Sequence, residues 1–356
     1  MGETGKEEKM KSETDYLSGV DVLRFAATVA AIVLHSFLNL DRFVDLYVIG
    51  ILIRWLVPVF FLTSGFFFKT DFKAFVGFMC RLVFVYAVWT AIYGLLNCMD
   101  IFNPYDFLSA LRSGIVMPFW YYPTIISTLI FFWVLVKVVK KPSIICIIGA
   151  ILFVGALIWN EFMYLPCFAS LQNSFVMTVH HKIFGEVSAK YGIFWGTLFV
   201  AIGYALRCSA NSDNSQGGDE NSGFIGNLKR KLDEIYTTNR KKFWIILVVA
   251  GILYSVELCI TYHYHTGDMD VLIMQIPFDT MLFIWALNCR IKKNFGVMLR
   301  GASTLMYLSH MFFIELIRPM TGTGVILAIS SVAASFAFGW IIVKLSEKIK
   351  FLKYIY

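Results

Sequence analysis

One arginine and one histidine stand in the first long apolar run of the chain. Arg24 lies near its start and His35 follows eleven residues later, within DVLRFAATVAAIVLHS. Eleven residues at about 100° each make three turns plus roughly 20°, so an α-helix places both side chains on one face, about 16 Å apart along its axis. Ionisable groups at membrane depth are costly and are usually functional. The pair is therefore the first candidate for chemistry.

The chemistry that this pair suggests is acid–base work. Histidine titrates near neutral pH and is the usual general base for a hydroxyl nucleophile. The sequence shows no serine–histidine–aspartate order, no metal-ligand spacing and no phosphate-binding glycine loop, so we expect no metal. The alternative is a charge-paired bundle core with a hydrogen-bonded histidine, which needs no catalysis.

The composition predicts the element that must position these residues. The chain has 356 residues, of which 58% are hydrophobic and only 15% are charged. Soluble domains are about 45–50% apolar and about 25% charged. We therefore predict an all-α, polytopic transmembrane helix bundle in a cell membrane, with the lipid bilayer as its first partner.

Apolar segments of about 20 residues mark the spans. There are ten of them, counted from runs of the sequence. They lie near 22–39, 46–68, 76–97, 121–139, 143–160, 192–207, 243–263, 270–289, 298–317 and 323–345.

The basic residues predict the orientation. With the N-terminus inside, most of the 31 Lys and Arg residues fall on the inner side of the ten spans. This bias predicts that both termini are cytoplasmic. It also accounts for the net charge of +7, so no nucleic-acid partner is expected. The outer side receives Arg42, Arg112, Lys182, Lys190 and Arg318.

The segments outside the spans give the domain organisation. Residues 1–20 are a polar cytoplasmic tail, 21–350 form the membrane domain and 351–356 form a C-terminal tail. In the outer loop 98–120, the apolar spacing of Phe107, Leu108 and Leu111 predicts a short interfacial helix. The remaining segments are an outer loop at 161–191, a flexible inner loop at 209–223 and a basic amphipathic inner helix at 224–242.

Other polar residues occur within the spans. Arg54, Glu257 and His310 fall at similar depth, and we expect them to line a shared cavity that contributes to substrate binding. The alternative is a structural ion pair, for example between Arg54 and Glu257. Pro58 frees a backbone carbonyl and Gly65 allows close helix packing, so a kinked second span is expected.

Four motifs resemble those of the acyltransferase-3 family of membrane O-acyltransferases. Arg24 and His35 match its Arg-x10-His signature, and the other three motifs follow in the family's order. The resemblance runs from about residue 16 to residue 345. The three further motifs are Val57 to Gly65 (VPVFFLTSG), Phe119 to Pro123 (FWYYP) and Gly301 to His310 (GASTLMYLSH).

A closer likeness is to the acyltransferase-3-like membrane half of vancomycin-resistance serine racemases. It rests on Lys190 to Gly196, on the IGY that follows, on Glu257 and on the stretch from Asp270 to Phe283. That membrane half is usually described as taking up serine. The sequence ends at Tyr356 without a pyridoxal-phosphate racemase domain, so racemase activity is not expected.

The family resemblance implies transfer of an acyl group, often acetyl, from cytosolic acyl-CoA to a hydroxyl of a cell-envelope glycan or similar acceptor. It implies that Arg24 binds the anionic donor and that His35 acts as base on the acceptor hydroxyl. No permanently bound cofactor is implied. The racemase likeness supports a second hypothesis, a transporter of a small polar solute such as serine. A structural or regulatory subunit without catalysis is the third.

Overall fold

The fold is helical throughout the part of the chain that the computed structural model describes. That part comprises residues 18–37, 53–97, 99, 101–160, 192–212, 223–264, 270–289 and 291–356, and it contains no strand. The all-α prediction is confirmed for these residues. The helices are α1 Ser18–Ser36, α2 Leu56–Phe66, α3 Phe72–Leu96, α4 Pro104–Ser113, α5 Tyr121–Val138, α6 Pro142–Asn160, α7 Ile193–Ser212, α8 Gly223–Thr238, α9 Arg240–Tyr264, α10 Gln275–Asn288, α11 Lys293–Thr321 and α12 Val325–Lys348.

Each of the ten predicted spans overlaps a helix of the described part. By length and composition, six helices of the described part are able to cross a membrane: α1, α3, α5 (with Pro118–Trp120 before it), α7, α9 and α12. Two others, α2 and α6, are apolar but shorter in their apolar parts. The start of the second predicted span and the outer loop 161–191 lie outside the described residues. The count of ten and the orientation of the termini stay predictions.

The chain divides into two compact units. The first contains α1, the end of α10 from Met281, α11 and α12, whereas the second contains α2 to α9 and the start of α10 up to Thr280. Each unit has its own helix packing, and each holds some of the polar residues singled out above.

In the first unit, α1 packs against both α11 and α12. The buried positions of α1 follow the helical repeat, as Val20, Leu23, Ala27 and Ala31 show. Such a stripe, three or four residues apart, directs one face of the helix into the core. The same face continues to His35, which places the histidine inside the unit rather than on its surface.

In the second unit, α7 is the central helix and packs against α2, α5 and α6. Glycines permit the closest of these approaches. A Cβ added at Gly65 of α2 would collide with the backbone of Val200, and one added at Gly203 of α7 would collide with the backbone of Leu62. Backbone contact of this kind is typical of helices that associate through small residues. The close packing predicted at Gly65 is confirmed.

The boundaries of the smaller elements differ slightly from the sequence estimate. Helix α1 begins at Ser18, within the segment assigned to the tail. The basic segment 224–242 is not one helix, because α8 ends at Thr238 and α9 begins at Arg240. Asn239 separates them and accepts a hydrogen bond from the backbone N–H of Lys242 at 3.0 Å, which caps the new helix. The predicted short helix in the loop 98–120 is α4, capped by Asn103.

Candidate functional site

Helix α1 carries both members of the Arg-x10-His pair. It runs without a break from Ser18 to Ser36, so Arg24 and His35 lie on one face as predicted. Arg24 is partly exposed and His35 is buried. Thr28 donates a hydrogen bond to the carbonyl of Arg24 at 3.0 Å, within the helix. The helix therefore fixes the distance between a cation and an imidazole.

His35 contacts a second histidine. Its ring stacks on that of His310 of α11, with 5.3 Å between ring centroids and 30° between ring planes. His35 is 7% exposed and His310 is fully buried. The two residues are far apart in the sequence, and the packing of α1 against α11 brings them together. Within the described part of the first unit, this is the one contact between predicted site residues.

The hydrogen bonds of His310 determine which of its nitrogens is available. Its Nδ1 lies 2.6 Å from the carbonyl oxygen of Tyr307. A carbonyl only accepts hydrogen bonds, so Nδ1 carries the proton and donates it. In the neutral ring, Nε2 then has a free lone pair, and this buried atom has no hydrogen-bond partner among the described residues. Nδ1 of His35 is likewise buried without a described partner.

A cation lies close to the C-terminal end of α1. Arg318 of α11 donates to the carbonyl of His35 at 3.4 Å and is 3.5 Å from Glu315. The backbone N–H of Gly324 donates to the carbonyl of Ser36 at 3.1 Å. These contacts supply donors to the final carbonyls of α1, which have no partner within the helix. They fix the position of the C-terminal end of α1, where His35 lies.

A salt bridge holds α1 against α11 near its other end. Arg300 donates to both carboxylate oxygens of Asp21, at 2.9 and 3.1 Å. Asp21 is 2% exposed, whereas the Arg300 side chain is 46% exposed. Sequence reasoning missed this pair, although Asp21 is an acidic residue in the first turns of an apolar helix, which is a signal for a buried partner.

In the second unit, Arg54 is held by the segment before α10. Its guanidinium forms a hydrogen-bonded ion pair with Asp270. Its carbonyl accepts a hydrogen bond from the side-chain amide of Gln275 at 3.3 Å. Pro58 explains the second contact, because a proline has no N–H to donate to the carbonyl four residues earlier. The freed carbonyl that the sequence predicted is thus that of Arg54.

Glu257 of α9 binds the same segment, but through backbone groups. Its two carboxylate oxygens accept hydrogen bonds from the N–H groups of Ile273 and Met274, both at 2.7 Å. These N–H groups lie at the N-terminal end of α10, where donors lack helical partners and negative charge is favoured. The suggested pair between Arg54 and Glu257 is not formed, since the described partners of Glu257 are these two amides.

The predicted shared cavity has a more limited test. Arg54 and Glu257 both contact the residues 270–275 of the second unit, whereas His310 belongs to the first unit. Their common cavity therefore stays a prediction. Among the described residues, no group of three or more His, Cys, Asp or Glu is placed to hold a metal ion.

Comparison with known proteins identifies the family. The model of the acyltransferase domain, Acyl_transf_3, matches residues 17–344, which is nearly the whole chain. The chain belongs to the acyltransferase-3 family. It is an acyltransferase, and its apolar helices together with the family make it an integral membrane protein. No curated protein and no solved structure matches it.

The contact between the two histidine rings limits the charge that they can carry. Two imidazoles in contact inside a low-dielectric core cannot both be charged without strong repulsion. At most one of the two rings can therefore be an imidazolium at a time. Because Nδ1 of His310 is committed to the carbonyl of Tyr307, a proton enters or leaves that ring through Nε2.

Proposed function

We propose that the protein is a membrane O-acyltransferase that moves an acyl group, acetyl in the first instance, from cytosolic acyl-CoA to a hydroxyl of a cell-envelope glycan. The family match supports acyl transfer in general. The observation that carries the finer proposal is the buried His35 ring, stacked on His310 and placed three helical turns from Arg24.

Arg24 is the donor-binding residue in this proposal. It lies toward the end of α1 that the charge distribution places at the cytoplasm, where the phosphates of acyl-CoA arrive. A guanidinium binds phosphate through paired, charge-assisted hydrogen bonds. The donor then extends along the helix face, and its thioester comes toward His35.

His35 is the general base. It removes the proton from the acceptor hydroxyl as the hydroxyl oxygen attacks the thioester carbonyl. The carbon–sulfur bond breaks, the acyl group stays on the acceptor oxygen, and the CoA thiolate receives the proton from the imidazole. The protein binds and orients the reactants and supplies the base, with no permanently bound cofactor. Burial of His35 keeps water from competing with the acceptor hydroxyl.

Purified protein in lipid nanodiscs tests these roles with acetyl-CoA and soluble sugar acceptors. We expect His35→Ala to lower transfer by about 100-fold or more, which is the usual contribution of a general base. Donor binding by that variant should be unchanged. Arg24→Ala should weaken acetyl-CoA binding by about tenfold or more, because a charge-assisted hydrogen bond is lost.

Matched controls are available on other helices. His263→Ala and Arg81→Ala change exposed residues of α9 and α3. They should alter neither acyl transfer nor acetyl-CoA binding. Transfer by His35→Ala at the normal rate would exclude the base role. Uptake of labelled serine into vesicles without acyl-CoA, together with no transfer, would instead establish the transporter that the racemase likeness suggests.

A further inference from the structure

The second unit contains a carboxylate that the proposed reaction does not use. Asp279 lies on α10, one turn after Gln275 and on the same face of the helix. It is fully buried, and neither of its carboxylate oxygens has a hydrogen-bond partner among the described residues. Asp279 differs in this respect from the other site residues of the second unit described above, because each of those has a hydrogen-bond or ion-pair partner.

Gln275 and Arg54 already have partners of their own. Gln275 accepts from the N–H of Leu272 at 3.2 Å and donates to the carbonyl of Asp270 at 2.9 Å, besides its bond to Arg54. The guanidinium of Arg54 is engaged by Asp270. The cation of this cluster is therefore paired with another carboxylate, and Asp279 lacks a described counter-charge.

Aromatic and apolar residues pack where α9 meets this part of α10. Tyr254 of α9, which is 1% exposed, stacks on Phe278 with 5.3 Å between centroids and 7° between planes. Tyr254 packs in a core cluster with Leu258 and Leu272. The ionisable groups close enough to interact electrostatically with this tyrosine are Asp279, Arg54, Asp270 and Glu257.

An isolated carboxylate in such a core is expensive. Its transfer from water without a partner costs many kcal/mol, and a buried group avoids this cost by becoming neutral. A proton, unlike a metal ion, needs no further ligands. It can therefore bind to a carboxylate that packed residues enclose. Acidic residues at membrane depth are typical of proton-exchanging sites.

We propose that Asp279 is a site of reversible proton binding in the second unit. The carboxyl binds one proton while it is buried, and release of that proton requires contact with solvent. This site goes beyond the acyl-transfer reaction, in which the proton of the acceptor hydroxyl returns to the CoA sulfur and no net proton is exchanged.

Infrared spectroscopy of the full chain in nanodiscs tests the proposal without an activity assay. A protonated carboxyl has a carbonyl stretching band that is separate from the amide bands and moves in heavy water. We expect the wild type at neutral pH to show this band and Asp279→Asn to lose it. Asp279→Glu, which keeps a carboxyl, should shift the band, and it serves if the asparagine variant does not fold.

Asp21 provides the matched control. It is also a buried aspartate, but Arg300 neutralises it, so Asp21→Asn should leave the band unchanged. The proposal is overturned if the wild type lacks the band or if Asp279→Asn retains it. It is equally overturned if sodium at constant pH removes the band, because the carboxylate would then bind a metal cation in place of a proton.

Discussion

Nδ1 of His310 donates a hydrogen bond to the carbonyl oxygen of Tyr307, 2.6 Å away and one helical turn earlier. The bond lies within α11, so it fixes the ring before any substrate is present. The other nitrogen, Nε2, is buried without a described partner next to the ring of His35. His310 is therefore oriented by one nitrogen and available through the other.

Because the two ring nitrogens of His310 differ in their hydrogen bonding, two substitutions of this residue should give different results. Asparagine places an amide near the position of Nδ1 and keeps the bond to Tyr307, but it has no counterpart of Nε2. In the proposed reaction the proton that His35 removes is stabilised by the neighbouring Nε2 of His310. We therefore expect His310→Asn to fold normally and to lower acyl transfer by about 100-fold. Transfer rates and thermal unfolding of the purified variant provide the measurements.

His310→Gln is the complementary variant, since its amide lies near Nε2 and does not reach the carbonyl of Tyr307. We expect it to be both less stable and inactive. A normal rate in His310→Asn would mean that the residue only positions the helix, and the proton-transfer role would then belong to His35 alone.

The salt bridge between Asp21 and Arg300 predicts a strong effect on stability. Asp21 is buried, so Arg300→Ala leaves a carboxylate without its counter-charge. We expect a loss of about 2 kcal/mol, which is below the usual value for a fully buried pair because Arg300 is half exposed. Reversible unfolding in mixed micelles measures this change.

Two further variants isolate the cause of that loss. Asp21→Asn in the Arg300→Ala background should recover much of the stability, because the unpaired charge is removed. Lys344→Ala breaks an exposed pair with Glu347 and should change stability by less than about 1 kcal/mol. Equal losses in Arg300→Ala and Lys344→Ala would contradict the argument from burial.

Local patterns in the sequence predicted the helices and the Arg24–His35 geometry, because apolar length and a 3.6-residue repeat are local properties. The junction at Asn239 was also locally encoded, since a capping residue between two helical patterns marks a helix start. The stacking of His35 on His310 was not accessible in this way. It depends on which helices pack together, and a single sequence carries no direct signal for that choice. The same reason hid the partners of Asp21 and Arg54.

The contact of α2 with α7 predicts opposite effects at two glycines. Gly65→Ala adds a methyl group that collides with the backbone of Val200, so the helices must separate. We expect a loss of about 1–3 kcal/mol, as for other overpacked sites. Gly77→Ala on α3 meets nothing within 4 Å and should raise stability by about 1 kcal/mol through helix propensity. Similar effects at both glycines in thermal unfolding would contradict the close approach.

The bond from Gln275 to the carbonyl of Arg54 predicts coupling with Pro58. Gln275→Leu removes three hydrogen bonds at once, and we expect a loss of about 3 kcal/mol. Ser255→Ala removes a single bond within α9 and should cost less than about 1 kcal/mol. Pro58→Ala restores an N–H four residues after Arg54, which then donates to the same carbonyl. In that background Gln275→Leu should cost about 1 kcal/mol less than in the wild type, whereas strictly additive losses would show that Gln275 does not serve the carbonyl freed by the proline.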